Sequence, residues 1–358
     1  MTDAIRLLVG TKKGLFFLDS DSGRDGWRLS GPHCATWPIN HAVADPVTGA
    51  IHAGGGNEWF GPAVWTSRDG GASWSHSSAG LAYEEGADPV KSVWSLMARD
   101  GRVHAGVEPA GLFVSEDGAQ SFAPLDALRH HPTRERWMPG AAGLILHHIV
   151  GHPEDPARLW VAISAAGVFA TEDGGRTWAP RNDGTRQDYA PEEHRYAEVG
   201  QCVHSLTMAA GMPDRLYQQN HCGMYRSDDA GRNWQSIEAG LPSTFGFPAV
   251  AHPSDPDTLF LFPLNGDQKG RFAPDGKVAV WRTRDGGATW QALREGLPQQ
   301  DAYVTVLRQG MATDGGAPAG LYFGTTSGEV YASRDEGESW QCVARHLPMI
   351  SSVEAMRP

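Results

Sequence analysis

Short runs in which apolar and polar residues alternate recur along the chain: GLFVSED (111–117), GVFATED (167–173), GMYRSDD (223–229) and EVYASRD (329–335). A period of two places one face of an extended chain on a core and the other in solvent, so each run predicts a half-buried strand. A second apolar run precedes each of these or its counterpart, as in RLWVAIS (158–164), RLYQQNH (215–221), TLFLFPL (258–264) and GLYFGTT (320–326). A third lies further upstream, as in VWSLMA (93–98), HHIVGHP (147–153), VHSLTMA (203–209) and FPAVAHP (247–253). The unit is therefore three strands in succession, here A, B and C.

Each unit ends in one eight-residue pattern, Ser/Thr-x-Asp-x-Gly/Ala-x-polar-Trp/Phe. It occurs at Ser67–Trp74, Ser115–Phe122, Thr171–Trp178, Ser227–Trp234, Thr283–Trp290 and Ser333–Trp340, with a degenerate copy at Asp19–Trp27. The aspartate can accept backbone N–H groups in a tight turn, the glycine tolerates positive φ, and the aromatic residue opens a fourth strand, D. The closing aromatics are spaced by 47 to 56 residues, the length of a four-stranded propeller blade with its loops. The expected fold is all-β: one domain, 1–358, forming a single seven-bladed β-propeller with Asp-box repeats. Residues 5–30 supply B, C and D but no A, and 350–358 read as an unmatched A, so the two ends should share one blade and close the ring. The other blades are expected at 39–80, 91–127, 144–183, 202–242, 247–298 and 303–347.

Composition narrows the partners. A formal charge of −12 repels phosphate backbones and argues against nucleic acid. Nothing approaches the roughly 18–20 apolar residues of a membrane span, and no secretory signal is visible, so a cytoplasmic location is expected. Four cysteines among 358 residues do not make a disulfide framework.

The repeated boxes resemble the Asp-box, or BNR, repeats of sialidases, sortilin-type receptors, xyloglucanases and the photosystem II assembly factor. Segments such as GNEWFGP (56–62), PAGLF (109–113), GQCVHSL (200–206) and QQNHCGMYRSDD (218–229) are also similar to bacterial proteins labelled BNR-repeat glycosyl hydrolases. The resemblance implies the fold over nearly the whole chain; function does not follow from it. A sialidase of that family carries an Arg-Ile-Pro motif and three arginines clamping a carboxylate. No Arg-Ile-Pro occurs here, and the expected inward register of the A strands (Asn40, Trp94, His147, His204, Phe247, Thr305, Ser352) holds no arginine.

In a propeller the D–A and B–C connections share one face, away from the boxes. Two long D–A loops, 125–145 and 183–201, carry Arg134, Arg195 and Tyr196 as candidate ligand-binding residues, unless they are only a solvated lid. His41, His147, His148, His204 and His221 fall at the same rim, while His152 and His252 belong to turns at the opposite end. Imidazole is a common metal ligand and a base near neutral pH. His147, His204 and His221 are the candidate ligands of a divalent metal, and His148 a candidate catalytic group. Cys202 and Cys222 reach the same place through one hairpin, as metal ligands or as buried thiols packing as small apolar groups. Glu58 and Glu108, on neighbouring B–C turns, are candidate acid and base. Trp59 and Trp94, with His41, are candidate ligand contacts, although such tryptophans also plug blades. Two functions remain open: a propeller binding a small polar molecule or sugar in a His-rich central funnel, a hydrolase included, or a non-catalytic platform for a protein partner.

Overall fold

The alternating runs all become strands, paired antiparallel in the order they follow along the chain. The computed structural model describes residues 4–141 and 143–357, which form seven four-stranded sheets arranged as the blades of a β-propeller. The innermost strand of each blade lines the central channel: Ile350–Met356, Ile39–Ala44, Ser92–Arg99, Leu146–Gly151, Val203–Ala209, Phe245–Ala251 and Met311–Thr313. Ile350–Met356 pairs with Arg6–Thr11, so one blade is built from both ends of the sequence and the ring is closed as expected. Apolar side chains fill the spaces between blades; Phe260, Phe262, Phe323 and Trp340 belong to one such cluster, and Leu7, Val9, Tyr322 and Val353 to that at the closure.

The Asp-centred turns are built alike. In one, Asp173 Oδ1 accepts the N–H groups of Arg176 (3.0 Å) and Thr177 (2.9 Å), while Oδ2 accepts the Thr177 hydroxyl (2.6 Å). Thr171 Oγ1 accepts the Gly175 N–H at 2.9 Å and donates to Asp173 at 2.8 Å. Such bonding favours the ionised aspartate: the hydroxyl and N–H of Ser73 and the hydroxyl of Ser67 pull Asp69 down to about 2. Two successive residues take positive φ, Gly70 (68°) and Gly71 (97°) in the first complete turn. A Cβ on Gly71 would lie 2.3 Å from the Phe17 ring, so the side chain of a neighbouring blade also requires glycine there.

The inner strands share a second device. Nearly every one carries a register shift against its neighbour, and the residue at the shift points into the channel. The shifts lie between Ile39 and His41, Val93 and Ser95, Leu146 and His148, Val203 and Ser205, and Gly246 and Ala249. The residues set out of register are Asn40, Trp94, His147, His204 and, with Pro248, Phe247. A β-bulge breaks the alternation and re-aims a side chain. In three blades that side chain then crosses to the next blade and bonds the residue just before its own bulge. Asn40 Nδ2 donates to Val93 O (2.9 Å), His147 Nε2 to Val203 O (2.8 Å) and His204 Nδ1 to Gly246 O (2.7 Å).

The expected register agrees with the channel wall at Asn40, Trp94, His147, His204, Phe247 and Thr305. In the closing strand it is one residue out. A shift opposite Gly10 and Thr11 leaves Ser351, not Ser352, on the wall. The seventh blade differs more. Its inner strand is only Met311–Thr313, and residues 302–310 run through the channel as irregular chain.

Candidate functional site

The bulged residues and the loops above them enclose a funnel of about 1060 Å³. Its mouth is formed by the two long loops, through Met138, Pro139, Gln187, Tyr189, His194 and Val199, and none of the Asp-centred turns borders it. Arg308 and Gln309, from the irregular segment of the seventh blade, form the floor. They also border a second cavity of about 170 Å³ beneath, which contains His41, His148 and Glu354.

On one wall the bulge of the fifth blade places His204 beside Cys202, and the following hairpin brings His221 to the same point. One donor atom from each of Cys202, His204 and His221 lies within 4.8 Å of the others. Cys202 Sγ stands 3.5 Å from His204 Nε2. Because His204 Nδ1 donates to Gly246 O, Nε2 carries the lone pair and faces the thiol. Asp267 Oδ2 lies 3.5 Å from His221 Nε2. Phe245 and Phe247 pack against His204, with ring centroids 5.3 and 4.8 Å away. Burial, and then the nearby Arg308 charge, holds His204 well below the ordinary histidine range. Burial likewise pushes the Cys202 thiol up, against the pull of Arg308.

His147, expected among the metal ligands, does not join this cluster. Its Nε2 is engaged by Val203 O, and its Nδ1 meets His148 Nδ1 at 2.8 Å. Both ring nitrogens are therefore occupied, and Cys202 stands where His147 was expected. His148 and His41 face the lower cavity instead of the funnel; the Leu96 N–H donates to His41 Nδ1 at 3.0 Å.

The expected carboxylate pair does not form on the funnel wall. Glu58 is exposed at the tip of its hairpin, and Glu108 accepts from the Trp94 indole at 3.1 Å, with Lys91 Nζ 3.7 Å away. Trp94 itself lines the funnel. Trp59 lies outside it, 92% exposed. Arg134 sits over the Trp137 ring, 5.1 Å from its centroid, and Arg195 pairs with Asp188 at 2.6 Å and covers Tyr196. Those three loop residues brace the loops and do not border the funnel. His152 and His252 do act in turns, each accepting two backbone N–H groups on Nδ1.

Four charged funnel residues were not singled out from the sequence: Lys12, Asp267, Arg271 and Arg308. Each lies outside the strands, in a turn, a short 3-10 helix or irregular chain, where no strand period says which way a side chain points.

No protein-family model and no curated protein sequence matches the chain. Solved structures do. An ancestral GH74 enzyme superposes with a TM-score of 0.57 at 17% identity; the match covers 85% of this chain, which spans only 38% of the length of that one. Apo AztD from Citrobacter koseri gives 0.58 at 10% identity, over 99% of this chain and 98% of its own. YCF48 bound to D1 peptide gives 0.50 at 14% identity, over 87% and 86%. At such identities the likeness carries the fold, a β-propeller, and nothing of the site.

Proposed function

We propose that the chain is a small-molecule-binding propeller whose ligand enters the central funnel, and that Cys202, His204 and His221 hold a divalent metal ion there, zinc by the chemistry of the set. One observation carries the reading. In a tetrahedral zinc site the ligand distances place a sulfur and a nitrogen about 3.6 Å apart. Cys202 Sγ and His204 Nε2 are 3.5 Å apart, with the His204 tautomer already fixed by Gly246 O. Asp267 beside His221 supplies the outer partner that metal-binding imidazoles commonly have. Three protein ligands would leave a fourth position open, the pattern of catalytic zinc, so a hydrolytic activity belongs to the proposal. The ion would supply Lewis acidity there; this chain supplies the lone pairs, the water-excluding Phe245 and Phe247 wall and the walls that orient a ligand. Cys202 can ligate only outside a disulfide, as the thiolate left when the metal displaces its proton, which suits a reducing cytoplasmic location.

Metal analysis after dialysis against zinc and then against metal-free buffer tests the proposal. Wild type and His147→Ala are expected to retain about one zinc per chain, and Cys202→Ser and His204→Ala to lose it. Retention by either of the last two, or no zinc in the wild type, rejects the site. A second reading, a platform for a protein partner, is favoured by the rim aromatics: Trp59 is 92% and Phe60 50% exposed, beside the stacked Trp37. Cross-linking of the wild type but not of Trp59→Ser to a partner would support it.

A further inference from the structure

Arg308 is the unusual residue of the funnel. It lies deep in the central channel, on the floor between the two cavities, and its guanidinium sits over the Phe247 ring at 5.0 Å. Its Nε is buried with no hydrogen-bond partner, and among the described residues the side chain makes no ion pair or hydrogen bond. Arg271 enters from the sixth blade over Phe245, 6.0 Å from the ring centroid, also without an ion-pair partner among the described residues. Burial and the Arg271 charge both disfavour the protonated state of Arg308. A guanidinium stays charged regardless, so the cost is borne by the protein without ligand.

The charge of the funnel runs against that of the molecule. The chain carries −12 overall, yet the funnel wall holds Lys12, Arg136, Arg271 and Arg308 against one carboxylate, Asp267. Arg136 is paired with Glu198 at 3.0 Å, and Lys12 bonds only the neutral Asn40 side chain, at 3.3 Å. Three cations therefore remain uncompensated save by Asp267. The wall beside them is apolar, formed by Trp94, Phe245, Phe247 and Leu307.

We propose that the funnel takes a small anionic molecule, with a carboxylate or phosphate group held by Arg308, at the floor, and by Arg271, and a less polar body against Phe245 and Phe247. The inference rests on the reading of the funnel as a ligand site, but not on the metal. A planar guanidinium with a free donor edge suits the two oxygens of either group, and a low-dielectric wall strengthens the pairing. A neutral sugar would leave both charges uncompensated. Were zinc bound to Cys202, His204 and His221, the local positive charge would rise further and favour the same anion.

The test uses titration calorimetry and thermal melting on metal-stripped and zinc-loaded protein, with inorganic phosphate, benzoate and phenyl phosphate, and with benzamide as the neutral match for benzoate. The anions are expected to bind and raise the melting temperature, and benzamide to bind at least about tenfold more weakly than benzoate. Arg308→Gln should erase that preference and Arg271→Gln reduce it. Without ligand, Arg308→Gln should melt at the same or a higher temperature, because an uncompensated buried charge is gone. Anion binding by metal-stripped protein that shows no zinc site would reject the metal alone. No anion binding at ~10 mM, or binding equal in wild type and both variants, overturns the proposal. So does a ligand-free Arg308→Gln protein that no longer folds, since the guanidinium would then belong to the framework of the ring.

Discussion

Histidines illustrate how one side chain is assigned to structure or to chemistry by its second nitrogen. His147 and His204 occupy equivalent bulges and bond equivalent carbonyls in the next blade. His148 follows His147 and occupies its remaining nitrogen; Ser205 follows His204 and does not. Only His204 therefore keeps a lone pair for the funnel. The buried rings also set a pH dependence. Burial lowers His41, His52 and His104 from 6.5 to about 4, and His148 to about 3. The folded protein thus refuses protons that the unfolded chain accepts below about 6.5, and stability is lost as pH falls from there toward 4. Glu354 acts in the opposite sense: burial raises it from 4.5 to about 7, so in that window the folded state binds the extra proton and gains on acidification. Four histidines outweigh one carboxyl, and the melting temperature should fall between pH 7 and pH 4.5. Glu354→Gln should steepen the fall; a flat profile in both proteins would contradict the assignment of these rings as buried and neutral.

At the scale of the strand and its turn, the Asp-centred motif holds strands C and D together from outside the funnel. Thr171 is buried, and its hydroxyl accepts the Gly175 N–H while it donates to Asp173. Thr171→Val keeps the shape and leaves that N–H unpaired, which should lower stability by about 1–2 kcal/mol. Asp173→Ala should destabilise as well, through loss of the oxygen that accepts two N–H groups. Neither should change binding of zinc or anion by folded protein. A loss of binding at unchanged melting temperature would show that the turn and the funnel are coupled. The bulge is the complementary element: it converts a residue that alternation would send between blades into one that faces the channel, and in three blades it adds a bond to the next blade.

Across the whole molecule, stability depends on closing the ring. Ile350–Met356 is the inner strand of a blade whose other three strands begin at Arg6, and Ile350 and Val353 are buried at that joint. Removing 349–358 would expose the edge of Arg6–Thr11 and the flank of the seventh blade together. A large fall in melting temperature, or failure to fold, is expected by calorimetry; an unchanged transition would refute closure as the source of stability.

The alternating runs, the 47-to-56-residue spacing and the missing first strand determined the seven blades and their closure from the sequence alone, because strand period and turn chemistry are local properties. The expected inward register of the A strands, a separate reading, placed Asn40, Trp94, His147, His204, Phe247 and Thr305 on the channel wall, where the structure has them. The composition of the site was decided elsewhere. Whether a bulged histidine keeps a lone pair for the funnel depends on which groups occupy its two ring nitrogens, and no spacing encodes that. Glu58 lies in the turn beyond its strand and is solvated, whereas Glu108 ends the strand Arg102–Glu108 and is held by Trp94. Ser351 replaces Ser352 because a bulge adds one residue to a strand without a sequence mark. Arg308 and Arg271 reach the funnel from irregular chain, where direction is set by packing against the opposite side of the ring and by no period at all.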